Sequence, residues 1–498
     1  MPAVTVNVKW GKQKFDNVEV NTDEPPETFK AQLFALSGVP PDRQKLLMKG
    51  KTIQDDAWGD IKLTNGSGIM MMGSTEGVPT GPPPAASSKD GKDPSSSAAD
   101  EEDDNPLGLM NLGNTCYLNA TVQCFRAIPE LRKALKNFSG SFAGFDSEQA
   151  KSQSVTQAVK VTYDEMDRNP EKVVPVVLVE TMRKAYPRFA ERGEHGGYAQ
   201  QDANEAWTEL MNNLKKQLGA ATPNSNVVDQ YLRGEFAVTM KCKESETEPV
   251  VQFREPFLQL SCFINQDVKY LQAGLAGRLR ETITKHSETL GRDAEFEKVN
   301  KIDRLPAYLT VQLVRFFFKE RAAVGAKILK DVKFPFMLDV FDLCSEVLQK
   351  KLVPMRQKFK DTDDYLTERA IKLTKGLVKE DDDEPHVDEP FSFSDDVGSN
   401  NSGFYELQAV LTHQGRTNNS GHYVGWVKRG DIWLKFDDDK VSGVHPEEIL
   451  KLSGGGDWHC AYLLLYGPRP LRTYPKPATE TTAPATTAKS GPEDMPVD

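Results

Sequence analysis

The sequence predicts an α+β protein made of two folded units on either side of a linker. Three observations lead there. Ahead of residue 74, apolar residues alternate with period two and then switch to helical spacing. Residues 74–104 hold almost nothing to bury. Beyond them, a helix-forming run after Cys116 is followed far downstream by paired strands. With 498 residues, 38% of them hydrophobic, the chain is long enough for two or three ordinary cores.

In the first unit, Val4, Val6 and Val8 alternate as a strand, Lys12 sits near a hairpin turn, and Val18 and Val20 resume the alternation. Phe29, Leu33 and Leu36 recur at helical spacing, and Gly38 with the Pro40-Pro41 pair ends that helix. Leu46-Leu47-Met48 and Ile69-Met70-Met71-Met72 supply two further strands. The unit therefore occupies residues 1–73.

The segment 74–104 reads STEGVPTGPPPAASSKDGKDPSSSAADEEDD, a Pro/Gly/Ser/acid composition that cannot form a core. As a flexible coil it spans about 30 Å root-mean-square and lets the flanking units reorient. A main domain over 105–468 follows. Within it, residues 380–402 (EDDDEPHVDEPFSFSDDVGSNNS) read as an acidic surface insertion, and residues 469–498, rich in Pro, Thr and Ala, as a disordered tail.

Composition narrows the functional classes. The opening MPAVTVNVKW has no basic region followed by an apolar stretch, and runs such as Val176–Val179 are too short to span a bilayer. A membrane protein is excluded on this reading. The six cysteines (116, 124, 242, 262, 344 and 460) contain no CxxC pair, so free thiols in a reducing compartment are expected, with no metal and no cofactor. A formal charge of −11 argues against nucleic acid as the main ligand and suits a partner that brings positive charge.

The strongest chemical signal is Asn111-Leu112-Gly113-Asn114-Thr115-Cys116-Tyr117-Leu118-Asn119-Ala120. Leu118, Val122 and Phe125 recur at helical spacing, so a helix starts near Cys116, with Asn114 or Thr115 placed to cap it. A thiol at that position feels the positive end of the helix dipole, which favours the nucleophilic thiolate. Amides exposed at the same turn suit an oxyanion. The alternative role for Cys116 is a buried, unreactive packing residue.

A catalytic cysteine needs a base, and seven histidines compete. His386 lies in the acidic insertion, His195 in a glycine-flanked loop and His286 in a polar stretch read as helical. His413, His422, His445 and His459 lie near the C-terminal strands. His422 is the best placed, because Tyr423–Val427 reads as a strand and Ile432–Asp437 as a second one after a Lys428-Arg429-Gly430-Asp431 turn. Antiparallel pairing of the two returns Asp437 to His422, where a carboxylate orients the ring and stabilises imidazolium. His413 is the reserve candidate.

Four boxes in order, GLMNLGNTCYLNA, QQDANE at 200–205, RLPAYLTVQLVRF from Arg304, and SGHYVGWVK followed by FDDDKV, resemble the ubiquitin-specific protease family over residues 105–468. The hairpin, helix and strands of residues 1–73, with VPPDRQKLLMKGK, resemble ubiquitin. The resemblance implies a β-grasp ubiquitin-like domain followed by a papain-like catalytic domain with a helical thumb, a β palm and β fingers. The two domains together resemble the proteasome-associated members. Their implied activity is thiol-dependent deubiquitination, their implied partners ubiquitin, ubiquitinated proteins and the regulatory particle of the proteasome. The implied setting is cytoplasm and nucleus, with a chain that is monomeric when free.

Roles follow box by box. Cys116 matches the nucleophile, His422 the general base, Asp437 the orienting carboxylate and Asn111 the side-chain donor to the oxyanion. Gln201 and Asp202 match the substrate channel, the alternative for both being N-capping of the helix that follows. Asp438 and Asp439 read as solvated or hydrogen-bonding neighbours and not as the third member of the triad. Leu47 and Met72 match two positions of ubiquitin's apolar recognition patch, the alternative being core. No conjugatable Gly-Gly ends the first unit, since Gly73-Ser74-Thr75-Glu76-Gly77 runs into the linker. The family's paired CxxC finger motifs are missing, so the fingers are expected to hold by pairing Phe236–Val238 with Leu258–Leu260 and without zinc. Two polar loops, 319–327 and 414–420, match loops that cover the cleft of the free proteasome-associated enzymes.

Overall fold

In a computed structural model of the chain, residues 4–72 are described in part and residues 107–474 almost throughout. The latter omit 169–171, 194–195, 220–224, 320–323, 378–385, 418–419 and single positions at 376 and 457. The linker 74–104, the turn at Lys12, the helix end at Gly38 to Pro41, Gly73, His195 and residues beyond 474 lie outside the described residues. Two compact units separate, Met1–Asp100 and Glu101–Asp498.

The first unit is a five-stranded sheet of β1 (Val4–Trp10), β2 (Gln13–Val20), β3 (Lys45–Met48), β4 (Lys51–Ile53) and β5 (Ser67–Met72) in the order β2-β1-β5-β3-β4, with β1 parallel to β5. Period-two alternation has its expected result. Ile69 and Met71 enter a core with Val6, Val8, Leu46 and Met48, closed by Phe29 and Leu33. Met70 and Met72 point outward, 54% and 55% exposed, and half-buried Leu47 pairs with Met70 across the ladder.

The second unit begins with helices α1 (Cys116–Phe125), α2 (Pro129–Asn137), α3 (Glu148–Asp167), α4 (Val176–Ala185), α5 (Ala203–Gln217) and α6 (Val227–Tyr231). The predicted spacing holds: Leu118, Val122 and Phe125 of α1, and Trp207, Leu210, Met211 and Leu214 of α5, share one buried core. Next come β6 (Gly234–Cys242), β7 (Val251–Phe257), β8 (Leu260–Phe263), α7 (Leu271–Arg278), β9 (Arg280–Ser287), β10 (Arg292–Arg304), β11 (Leu309–Val314), β12 (Phe316–Lys319), β13 (Val324–Lys327) and β14 (Met337–Asp339). After the long helix α8 (Glu346–Thr374) follow β15 (Val387–Glu389), β16 (Phe404–Thr417), β17 (Ser420–Arg429), β18 (Ile432–Asp437), β19 (Lys440–Val444), β20 (Cys460–Pro468) and β21 (Leu471–Thr473). A large sheet runs β19-β18-β17-β16-β20-β11-β8, and a four-stranded sheet β7-β6-β10-β9 stands apart from it.

Five expectations need correction. Phe236–Val238 pairs with Phe253–Glu255 of β7, whereas Leu260 joins the large sheet beside Val311. His286 lies on strand β9 and not on a helix. The acidic stretch is a surface insertion over only part of its described length, because β15 pairs with β21 and Ser399–Ser402 are buried, with Asn400 N bonded to Leu305 O at 2.9 Å. For the same reason the folded unit runs past Pro468 to β21. The described residues of 319–327 and 414–420 are strand, in the β12–β13 and β16–β17 pairs, while 320–323 and 418–419 lie outside the described residues.

Candidate active site

Helix α1 lies against β17, the strand that carries His422. Gly425 permits the approach, since a Cβ there would come within 3.3 Å of Ala120 O. The turn ahead of α1 uses positive φ at Gly113 (89°) and Asn114 (55°). Neither expected cap forms: Thr115 Oγ1 accepts from Leu112 N at 2.9 Å, and Asn114 Nδ2 donates to Tyr198 O at 2.8 Å. A bond within the turn engages Thr115 and a bond to a distant segment engages Asn114, and no side chain caps α1.

Cys116 is 2% exposed, yet its surroundings are polar. The backbone N of Tyr423 and Nε2 of Gln200 point at its sulfur from 3.5 and 3.4 Å. Interaction with the same sulfur is the largest cause pushing His422 up to about 9 against its burial; Asp437 adds to the rise. His422 Nε2 lies 2.6 Å from Asp437 Oδ1, which leaves Nδ1 as the ring nitrogen for sulfur. Burial opposes charge on Asp437, but Lys435, bonded to Oδ2 at 2.8 Å, and His422 outweigh it and hold the carboxyl below its ordinary range. Sulfur, imidazole and carboxylate therefore form one connected set.

His413 has no such part. It is fully buried, Nε2 bonds Ser420 O at 3.2 Å, and burial first and Lys327 second push it down to about 3. A ring that stays neutral at pH 7 with no carboxylate beside it makes a poor base for this sulfur.

The Asn111 carboxamide is heavily used in the resting geometry. Oδ1 accepts from Gly113 N at 2.9 Å and Thr115 N at 3.2 Å, and Nδ2 donates to Asp438 Oδ2 at 2.9 Å. One Nδ2 hydrogen remains for an oxyanion. Asp438, at φ 55°, also accepts from Asn119 Nδ2 at 2.8 Å through Oδ1, and its backbone O accepts from Leu109 N at 2.9 Å. It ties the cysteine turn and α1 to the end of β18. Nothing in its sequence context separates this clamp from a solvated acid. His422, Asp437 and Asp438 have ligand atoms within 4.8 Å of one another, but both oxygens of each carboxylate already accept hydrogen bonds.

Asp202 caps α5, accepting from Asn204 N at 2.7 Å and Glu205 N at 3.2 Å, and both of its oxygens accept from Tyr462 OH. Burial raises its carboxyl above the ordinary range despite those donors. Gln201 makes one long bond, Nε2 to Ala199 O at 3.5 Å. The glutamine that reaches the sulfur is its neighbour, Gln200, which the box alone does not distinguish from Gln201.

The family described as ubiquitin carboxyl-terminal hydrolase matches residues 107–466, and the ubiquitin family matches residues 4–76. Ubiquitin carboxyl-terminal hydrolase 14 of Caenorhabditis elegans is 39% identical over 480 residues, covering 95% of this chain and 94% of the relative. Ubiquitin carboxyl-terminal hydrolase 7 of Arabidopsis thaliana is 39% identical over 94% of this chain and 99% of its own length. Ubiquitin carboxyl-terminal hydrolase 6 of Schizosaccharomyces pombe is 37% identical over 93% and 98%. The chain belongs to the ubiquitin carboxyl-terminal hydrolases of the ubiquitin-specific protease type, thiol-dependent deubiquitinases, and carries a ubiquitin-like domain ahead of the catalytic one.

Proposed function

We propose that this enzyme hydrolyses the bond after the C-terminal glycine of ubiquitin on protein conjugates, and that it works at the proteasome. The observation that carries the chemistry is the convergence of Cys116, His422 and Asp437 from α1, β17 and β18. The sulfur attacks the glycine carbonyl carbon, an S–C bond forms, and the carbonyl electron pair moves onto oxygen. Asn111 Nδ2 and the amides at the uncapped start of α1 receive that charge. His422 gives its proton to the departing lysine amine as the C–N bond breaks. Water then attacks the thioester, His422 takes the water proton, and the thiolate leaves. Folded ubiquitin supplies contacts far from the scissile bond that position it. Gln201 and Asp202 border the path of its tail in this reading.

A catalytically silent ubiquitin-binding scaffold is the competing class. Incubation with ubiquitin carrying a C-terminal electrophile separates the two. A covalent adduct is expected from the full chain and none from Cys116→Ala, whereas no adduct from either protein identifies a scaffold.

Docking is assigned to the first unit. The outward residues Met70 and Met72, with Leu47 beside them, make an apolar strip on a small sheet, the kind of surface that seeks a partner. Held there, the enzyme gains effective concentration near ubiquitinated substrates. Met70→Glu with Met72→Glu is expected to weaken binding to purified proteasome at least tenfold, measured by co-sedimentation, with the ubiquitin-electrophile reaction unchanged. Undiminished binding places the docking surface elsewhere. The six free cysteines suit the reducing cytoplasm and nucleus, where we place the protein as a free monomer that joins the proteasome.

A further inference from the structure

We propose that Gln200 is a further catalytic residue: its carboxamide nitrogen donates a hydrogen bond to the Cys116 sulfur and favours the thiolate form that attacks. This rests on the deubiquitinase reading above and adds to it a group outside the triad. The geometry is direct. Nε2 of Gln200 is 3.4 Å from Sγ, and its Oε1 lies 3.9 Å from the same atom, within reach of a thiol hydrogen. A single carboxamide thus meets both forms of the sulfur, as donor to the thiolate or as acceptor from the thiol.

The placement is enforced from both sides. Asn114 Nδ2 ties Tyr198 O to the cysteine turn at 2.8 Å, Ala199 N bonds Glu191 O at 2.9 Å, and two residues beyond Gln200 the Asp202 carboxylate caps α5. Gln200 is 8% exposed, so water competes little for its amide. With Tyr423 N at 3.5 Å, two N–H donors then converge on one atom, and the His422 ring interacts with the same sulfur. Hydrogen bonds to a charged form favour that form, and burial makes each count for more. The other ionisable groups around the sulfur are Tyr117 on its own helix and Tyr423 on β17. Behind them stand Arg183 of α4, Asp202 ahead of α5 and Tyr462 of β20. The two tyrosines nearest the sulfur are neutral at physiological pH, so the charge that faces it is the imidazolium.

Such a donor has a signature that a packing residue lacks. It raises the thiolate fraction, but the thiolate it holds is a weaker nucleophile, because nucleophilicity falls with basicity at a Brønsted slope of about 0.4–0.5. Losing it therefore slows the sulfur at low pH and quickens it at high pH. The test follows alkylation of Cys116 in the full-length chain by iodoacetamide between pH 5 and 10, read by mass spectrometry of the Cys116 peptide. Gln200→Leu and Gln200→Met are compared with the unaltered protein, and Cys124 on the same helix is the internal reference, since burial pushes its thiol up.

Both variants are expected to move the midpoint of the rate profile up by about one pH unit. Their rates then lie about threefold below the unaltered protein at pH values under both midpoints and about threefold above it beyond both, so the curves cross. Curves that coincide, or that differ by one constant factor at all pH values, overturn the role of Gln200 while leaving the nucleophile in place. If Cys116 of the unaltered protein reacts no faster than Cys124, the deubiquitinase reading itself falls and this inference with it.

Discussion

His422→Ala is expected to lower kcat/KM on a fluorogenic ubiquitin substrate by about 10³-fold, with the protein still folded by thermal melting. The size follows from the ring's two tasks, pairing with the sulfur and protonating the amine, since general acid–base catalysis alone contributes about 10²–10⁴-fold. The half-buried ring lines the site and fills no core, so the loss falls on rate and not on stability.

The pH dependence carries the sharper test. The Cys116 sulfur raises the imidazole against the effect of burial, Asp437 adds to it, and the result is a group at about 9. A raised basic group stays protonated below that value. The imidazolium needed for the departing amine is thus present across neutrality and disappears as the pH climbs through about 9, where kcat/KM should fall. Asp437→Asn removes a carboxylate that favours the charged ring, so this basic limb should move to lower pH as kcat drops. A limb that stays put in Asp437→Asn shows that the carboxylate only orients the ring.

Which parts of this site were legible in the sequence depends on what kind of bond holds them. The convergence of Asp437 on His422 was readable because two apolar strands joined by a short turn have little choice but to pair antiparallel, and the structure pairs Gly425 with Phe436. The start of α1 was readable from the spacing of Leu118, Val122 and Phe125, but its missing cap was not. Thr115 has a turn donor as attractive as the helix amides, and Asn114 has the carbonyl of Tyr198 from a distant segment. The pairing of the four-stranded sheet escaped prediction for another reason. β7 is exposed along nearly its whole length, so no buried face fixes its register from hydropathy. The segment 386–402 was misread because its burial is polar. Asn400 Oδ1 accepts from Ser402 N at 2.9 Å and Gly403 N at 2.8 Å, and Asn401 Nδ2 donates to Pro390 O at 2.8 Å. Polar side chains that fold a loop by satisfying its backbone look, in composition alone, like a solvated tail.

The same physics singles out Arg315 for the largest effect on stability. It follows β11 directly and is completely buried. Its guanidinium donates from Nε to Ala461 O at 2.6 Å, from Nη1 to Ile328 O at 3.0 Å and Lys330 O at 2.8 Å, and from Nη2 to Ser453 O at 2.6 Å. Burial lowers it from its ordinary value, while Cys460, Cys262 and Asp331 work the other way. Four carbonyls from three separate segments thus share one fork of donors, and the next residue, Phe316, packs edge-on to His413 and Tyr462 beside the active site. Gly454 joins the arrangement at φ 126°, where a Cβ would lie 2.5 Å from Lys330 O. Arg315→Met keeps most of the volume and removes every donor. Stranding buried acceptors costs about 1–3 kcal/mol each before relaxation, so a net loss of about 4 kcal/mol is expected. At roughly 2–4 °C per kcal/mol, the catalytic unit should melt about 8–16 °C lower. Arg315→Lys retains the charge but reaches fewer carbonyls from a point donor, and should recover only part of the loss. A melting temperature for Arg315→Met within 2 °C of the unaltered protein, by differential scanning calorimetry, contradicts the stapling role.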